Sequence, residues 1–287
     1  MKLLAKLSDL LGYHAAKQEF RWMQQKSTHH PTLEKMLERR LRGEPLQYIL
    51  GTQPFGPLEL LVRPPVLIPR PETEDWTMRL AKMIQPTPTR PIKLLDLCTG
   101  TGCIPLLLCH LWPPGSVRAL GVDIAEEAIQ LAQDNAIHTG ISLSNDTEDS
   151  NRDLNTFEVH KADILHPDFL QQLHWQPVDV LTSNPPYIPH QEYIELPASV
   201  KDYEDKRALL GDPEQLPSDG KGLAFYRTIA DLVRSDRFVR PGGVIALEVG
   251  HNQSEEVQRL MMKQAGMRKT EVWRDPWGIA RTVLSWK

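Results

Sequence analysis

Asn184-Pro185-Pro186-Tyr187 follows the apolar run Val178–Ser183 directly. Two successive prolines remove two backbone donors and stiffen the turn. What remains is rich in acceptors, namely the Asn184 side-chain oxygen and the Pro185 carbonyl. Such a surface suits a planar NH2 group held through both hydrogens, with Tyr187 stacked on the same plane. A conjugated NH2 is a poor nucleophile because its lone pair is delocalised. Two fixed acceptors can aim that lone pair at a methyl donor and stabilise the positive charge that develops on nitrogen. Asn184, Pro185, Pro186 and Tyr187 are therefore the candidate catalytic residues. A plain strand-ending Pro-Pro turn is the competing explanation.

Three further places could hold a cofactor. Asp96-Leu97-Cys98-Thr99-Gly100-Thr101-Gly102 ends another apolar run, and its small residues let a ligand lie against the main chain. Pro105 stands where a dinucleotide fingerprint has its third glycine, and no Lys-Ser/Thr follows as in a phosphate loop. Asp123 lies about twenty residues further on, where an acid can accept from both ribose hydroxyls. It could equally cap the helix that starts near Glu126. Asp163 could accept from an adenine amine, or serve only as a turn residue.

These residues need elements to position them. Strand-like runs at Ile92–Leu97, Val117–Asp123, Phe157–Lys161, Val178–Ser183 and Gly243–Val249 alternate with helical runs at Cys103–Leu111, Glu126–His138, Leu223–Phe238 and Ser254–Gln264. That alternation predicts βαβ units and a mostly parallel sheet, with ligands at the carboxyl ends of its strands. Lys269–Arg274 and Ile279–Trp286 predict a terminal hairpin. Ahead of the α/β region, helical periodicity runs from Lys2 to Leu41. Leu46–Val62 reads as short extended pieces forming a hairpin-like connector outside the core, and Thr73–Ile84 as a helix. The expected domains are residues 1–45, a helical docking domain; 46–63, the connector; and 64–287, the catalytic domain. Ser142–Thr156, rich in Asn, Asp and Ser, reads as a flexible surface insertion.

Composition narrows the classes. The net charge of −4 lacks the basic excess usual for life on nucleic-acid phosphates. No apolar run is long enough to span a membrane, so no membrane is expected. Cys98, Cys103 and Cys109 follow no metal-ligand spacing, and no HExxH pair occurs. They read as reduced thiols near a buried helix, His29-His30 as exposed rather than metal-bound, and no metal is expected. The leucine-rich first stretch fits an amphipathic helix of the mature protein better than a transit peptide, given Asp9 and Glu19.

With these residues in view, the sequence resembles the HemK/PrmC family of protein-(glutamine) methyltransferases. Val66-Leu67-Ile68-Pro69-Arg70-Pro71-Glu72-Thr73-Glu74 is the most specific match. Gly43–Ile49, Glu248-Val249-Gly250, Asp275, Gly278 and Arg281 also fit. The resemblance implies an α/β, Rossmann-like class I S-adenosylmethionine methyltransferase sheet of seven strands, with a small N-terminal helical domain. It implies S-adenosyl-L-methionine as cofactor, and as substrate a peptide chain release factor, methylated at the glutamine of its Gly-Gly-Gln loop. The implied cofactor residues are Asp96, Thr99, Gly100, Thr101, Gly102, Asp123, Asp163 and Asn184. Arg70, Glu72 and Thr73 would wall the substrate site with Asn184 and Tyr187. The chain departs from the family pattern at Cys98, where glycine is usual, at Asp205, where proline is common, and in the few residues before Gly43. Cys98 and the insertion look more like organellar members, which implies a mitochondrial protein, the alternative being cytoplasmic. A monomer is expected.

Other readings compete. A nucleic-acid amino-methyltransferase would use the same Asn-Pro-Pro-Tyr chemistry on an extruded adenine or guanine, with Trp273, Trp277 and Arg274 as stacking groups. The acidic balance and the Ile-Pro-Arg-Pro-Glu-Thr run argue against it, and direct nucleic-acid binding is not expected. A non-catalytic binding module would not need every site motif intact. A nicotinamide dehydrogenase lacks both the third glycine and a placed hydride-transfer acid.

Overall fold

The computed structural model describes residues 2–27, 32–143, 153–172, 176–213, 219–235 and 238–287. His29-His30 and most of the polar insertion lie outside the described residues.

Helices α1 (Lys2–Leu11), α2 (Tyr13–Lys26), α3 (Leu33–Leu41) and α4 (Leu46–Leu50) come first. Their apolar faces meet in a core of their own that includes Leu7, Ala16, Met23, Met36, Leu37, Leu46 and Ile49. Helix α4 replaces the extended structure expected there. It is a single turn set between Pro45 and Gly51, whose left-handed φ of 77° ends it. Five residues are too few for periodicity to announce a helix.

Strands β1 (Thr52–Phe55) and β2 (Leu58–Leu61) form the hairpin. Contrary to expectation, it belongs to the core: Phe55, Leu58 and Leu60 pack with Trp76 and Leu107. Helix α5 (Pro71–Met83) follows and starts two residues early, with Pro71 in its first turn. A proline there forfeits only a donor that has no partner in any helix.

The expected alternation follows, with β5 and α8 added to it: β3 (Ile92–Leu97), α6 (Cys103–Leu111), β4 (Val117–Asp123), α7 (Glu126–Thr139), β5 (Ser142–Leu143), β6 (Thr156–Lys161), α8 (Phe169–Gln172) and β7 (Val178–Ser183). Contrary to the surface insertion expected over Ser142–Thr156, its two ends are structured, Ser142–Leu143 as β5, and Asn155 and Thr156 buried at the start of β6. Short helices α9 (His190–Ile194), α10 (Ala198–Lys201) and α11 (Lys206–Leu209) precede α12 (Ala224–Arg234), β8 (Val239–Glu248), α13 (Ser254–Lys263), β9 (Lys269–Arg274) and β10 (Ala280–Trp286). The sheet runs β5-β6-β4-β3-β7-β8-β10-β9 and has eight strands. The extra strand is β5, two residues paired with Thr156 and Phe157 at the edge. Strand β8 starts four residues before the expected Gly243, because a bulge takes up Pro241 and Gly242: Val239 pairs with Val178 and Val244 with Val180.

Neighbouring strand residues point to opposite faces, as the pleat requires. Leu95, Leu181, Ile245 and Val283 meet α12 and α13 on one face. Leu94, Val180, Ala246 and Leu284 meet α5, α6 and α7 on the other. Cys103 and Cys109 are free thiols buried in α6. Trp273 is buried under the Arg79 guanidinium, 4.3 Å from its ring centre, whereas Trp277 stands 67% exposed in the β9–β10 turn.

Candidate active site

From β3 the chain winds outward through β4 to β6, then returns to lay β7 on the other side of β3. Strand order reverses at this seam, where open α/β sheets bind ligands. Leu97 pairs with Ser183 and with Val122, so three loops leave the sheet side by side. They carry Gly100, Asn184 and Asp123. A cavity of about 620 Å³ opens there, and its wall includes Cys98, Gly100, Asp123, Asp163, Asn184 and Pro186. Val66 and Leu67 line it from the segment before α5, and Asp205 to Ala208 from α11 and its approach.

Of the cofactor residues expected from the sequence, Gly100, Asp123, Asp163 and Asn184 reach the cavity wall. Asp96, Thr99, Thr101 and Gly102 do not; Asp96, Thr99 and Thr101 are almost fully buried beneath the turn. Gly100 has φ 55°, and a Cβ there would meet open space, so its main chain is bare towards the cavity. Cys98 also adopts a left-handed φ, 57°, which costs a residue with a Cβ more than glycine.

The Asp123 carboxylate accepts from the Gly100 N–H at 2.9 Å and the Ala125 N–H at 3.0 Å. It thus braces the turn, and Ala125 rather than Asp123 is the N-cap of α7. Asp163 accepts from the Leu165 N–H at 2.8 Å, a turn-forming bond. Asp96 takes the Thr182 hydroxyl at 2.6 Å on one oxygen, while its other oxygen is buried without a partner. Asn135, wholly buried on α7, holds both Leu61 main-chain groups of the hairpin and the Thr101 carbonyl.

The loop of Asn184 to Tyr187 is clamped from behind. Gln253 donates to the Tyr187 carbonyl at 2.8 Å and accepts from the Gly250 N–H at 2.9 Å. Gly211 and Gly222 press on the Tyr187 main chain so closely that a Cβ would lie 2.7 Å from it at Gly211 and 2.1 Å at Gly222. Burial raises the Tyr187 hydroxyl pKa well above its usual range.

Of the expected substrate-side residues, Asn184 lines the cavity, whereas Arg70, Glu72, Thr73 and Tyr187 lie off its wall. Arg70 pairs through one nitrogen with both oxygens of buried Glu204, at 2.8 and 2.6 Å. Glu72 is half-buried. The Thr73 hydroxyl donates to Glu248 at 2.6 Å and receives the Asn184 side-chain N–H at 3.3 Å. Sequence reading gave no roles to Trp76, Gln253, Gly211, Gly222 or Asn135. Each acts across long sequence separations that no local pattern encodes; only Glu248, an acid closing a strand, carried a visible signal.

Four carboxyls around the site share one electrostatic property. Burial pushes Asp96 up to about 7, and raises Asp123, Glu204 and Glu248 above the usual carboxylate range. A carboxyl that holds its proton more tightly when folded stabilises the fold fully below its unfolded pKa. That contribution is lost as pH rises through the folded value. The melting temperature should therefore fall between about pH 4 and 7, from the usual carboxylate value to the raised one, and Asp96→Asn should flatten the fall. Melting curves that rise across this window would remove the assignment.

A family profile described as the PrmC N-terminal domain matches residues 7–51. The chain is 35% identical over 256 residues to the release factor glutamine methyltransferase of Caulobacter vibrioides, covering 89% of this chain and 78% of that protein. It is 32% identical to the enzyme of the same name from Thermodesulfovibrio yellowstonii, covering 88% and 80% respectively. A methyltransferase structure from Pyrococcus furiosus shares the fold at 14% identity, with a TM-score of 0.51 over 80% of this chain and 89% of that one.

Proposed function

The chain belongs to the release factor glutamine methyltransferase family, and from that premise we propose that it methylates the side-chain amide nitrogen of a glutamine, in the Gly-Gly-Gln loop of a peptide chain release factor. The observation that carries this reading is the acceptor pair at the end of β7. Asn184 spends its N–H on Thr73, and among the described residues no donor reaches its side-chain oxygen or the Pro185 carbonyl. Two bare acceptors on a proline-stiffened loop match the two hydrogens of a primary amide.

S-adenosyl-L-methionine fits the residues around the cavity. Gly100 offers bare main chain, Asp123 and Asp163 keep lone pairs beyond their backbone bonds, and Asp96 keeps a partnerless oxygen beneath the turn. In this reading Gly100 serves the methionine end, with Asp96 supporting the turn from beneath, Asp123 the ribose and Asp163 the adenine. When bound, this cofactor supplies an electrophilic methyl group on a sulfonium centre. The chain's own residues then position the nucleophile. Asn184 and Pro185 hold the amide NH2 and rotate its lone pair out of conjugation. They would also stabilise the positive charge on nitrogen as the nitrogen–methyl bond forms and the sulfonium–methyl bond breaks, one amide hydrogen then leaving as a proton to solvent. Helices α1 to α4, with Leu10, Tyr13 and Trp22 exposed, form a unit suited to docking the protein substrate.

The test uses radiolabelled cofactor with two release factors that differ only in the loop. Label should enter the Gly-Gly-Gln protein and not the Gly-Gly-Ala protein. Equal labelling of both would place the methyl group elsewhere and refute the assignment.

A further inference from the structure

Behind Asn184 runs a line of hydrogen bonds whose directions are fixed by chemistry. The Trp76 indole N–H can only donate, and it donates to Glu248 Oε2 at 2.8 Å. The Thr73 hydroxyl lies 2.6 Å from the same oxygen. Held as a carboxylate by these two donors, Glu248 can only accept, so Thr73 spends its one hydrogen on it. The Thr73 oxygen is then an acceptor, and its neighbour at 3.3 Å is the Asn184 amide nitrogen. Every partner in this line is buried: Thr73 is 2% exposed, Trp76 1% and Glu248 2%.

An asparagine amide has one accepting end and one donating end, and the two differ little in shape. Turned the wrong way, Asn184 would present N–H groups to a substrate that also brings N–H groups. We infer that Trp76, Glu248 and Thr73 act as positioning residues, a buried relay that points the Asn184 oxygen at the substrate amide. This rests on the amide-acceptor reading given above. Glu248 touches neither substrate nor cofactor; it acts through Thr73. Three separated segments meet in the relay: α5 supplies Trp76 and Thr73, β8 supplies Glu248, and the loop after β7 supplies Asn184.

The decisive variants are Thr73→Val, which keeps the shape and removes the hydroxyl, and Thr73→Ser, which keeps the hydroxyl and removes the methyl. Each is assayed by single-turnover methylation of the Gly-Gly-Gln release factor at saturating cofactor, with cofactor affinity titrated in parallel as the check on folding. Loss of one orienting hydrogen bond is worth roughly tenfold in rate. Thr73→Val should therefore slow methyl transfer about tenfold while cofactor affinity stays within about threefold, and Thr73→Ser should restore the rate. In an Asn184→Ala background, Thr73→Val should add almost nothing, because the hydroxyl acts only through that amide.

A wild-type rate in Thr73→Val, or a loss that multiplies with that of Asn184→Ala, overturns the relay alone. So does a Thr73→Ser variant as slow as Thr73→Val, which would assign the effect to packing. Asn184→Ala at the wild-type rate overturns the acceptor reading and the relay with it.

Discussion

Replacing Asn184 by alanine should slow methyl transfer about a hundred- to thousandfold while changing cofactor affinity by less than about tenfold. A preorganised hydrogen-bonding group facing a developing charge is worth about 2.7–4 kcal/mol, which is that factor in rate. Among the described residues no donor reaches the side-chain oxygen of Asn184, while its nitrogen donates to Thr73. The effect should therefore fall on the chemical step. Asn184 also lines the cavity, so some loss of cofactor affinity is expected from removed contacts. Single-turnover rates paired with cofactor titration separate the two. A rate near wild type would refute the acceptor role. Affinity that collapses together with the rate would move Asn184 into the cofactor site instead.

Gly222→Ala should be the most damaging small substitution outside the reacting residues. At this position φ is 68°, and a Cβ would stand 2.1 Å from the Tyr187 carbonyl oxygen. That oxygen is main chain, already held by Gln253, so it has nowhere to move without shifting the loop of Asn184 to Tyr187. The left-handed conformation costs about 1–2 kcal/mol for a residue with a Cβ, and overpacking adds about 1–3 kcal/mol. The expected loss is about 2–5 kcal/mol in urea denaturation, with methyl transfer slowed more than tenfold in the fraction that remains folded. Gly140→Ala is the control: φ is 74°, but nothing lies within 4 Å of the added carbon. It should cost only the conformational part. Equal losses in the two variants would show that the close approach to Tyr187 is unimportant.

The elements that place the site were largely legible because they are fully buried strands ended by residues that cannot continue them. Ile92–Leu97, Val117–Asp123 and Val178–Ser183 have the expected bounds. Each is an apolar run stopped by a turn residue or a proline. The hairpin was misjudged because its prolines and glycines look like connector, while its core face consists of only a few alternating residues, among them Phe55, Leu58 and Leu60. The start of β8 was missed because Pro241 and Gly242 look like a break, and a bulge absorbs both. At the site, loop residues could be named from type and spacing, since an Asp or Asn-Pro at a strand end is a local signal. Their orientation could not. Arg70 is expected from the sequence to wall the substrate site, yet Glu204, 134 positions away, holds it. The direction of the Asn184 amide depends on Glu248 and Trp76, which no spacing rule connects to it.

The Thr73–Glu248 hydrogen bond spans 175 positions, and this has a bearing on the chain during its own synthesis. All residues lining the main cavity precede Ala224 except Phe225, whereas the group that fixes Thr73 arrives at the end of β8. A nascent chain emerging from the ribosome carries the whole set of cavity-lining residues before Glu248 exists. Pairings across such long separations also close late in folding, since the loop entropy must be overcome first. Order of translation thus delivers the residues that line the cavity ahead of the residue that aims the Asn184 amide.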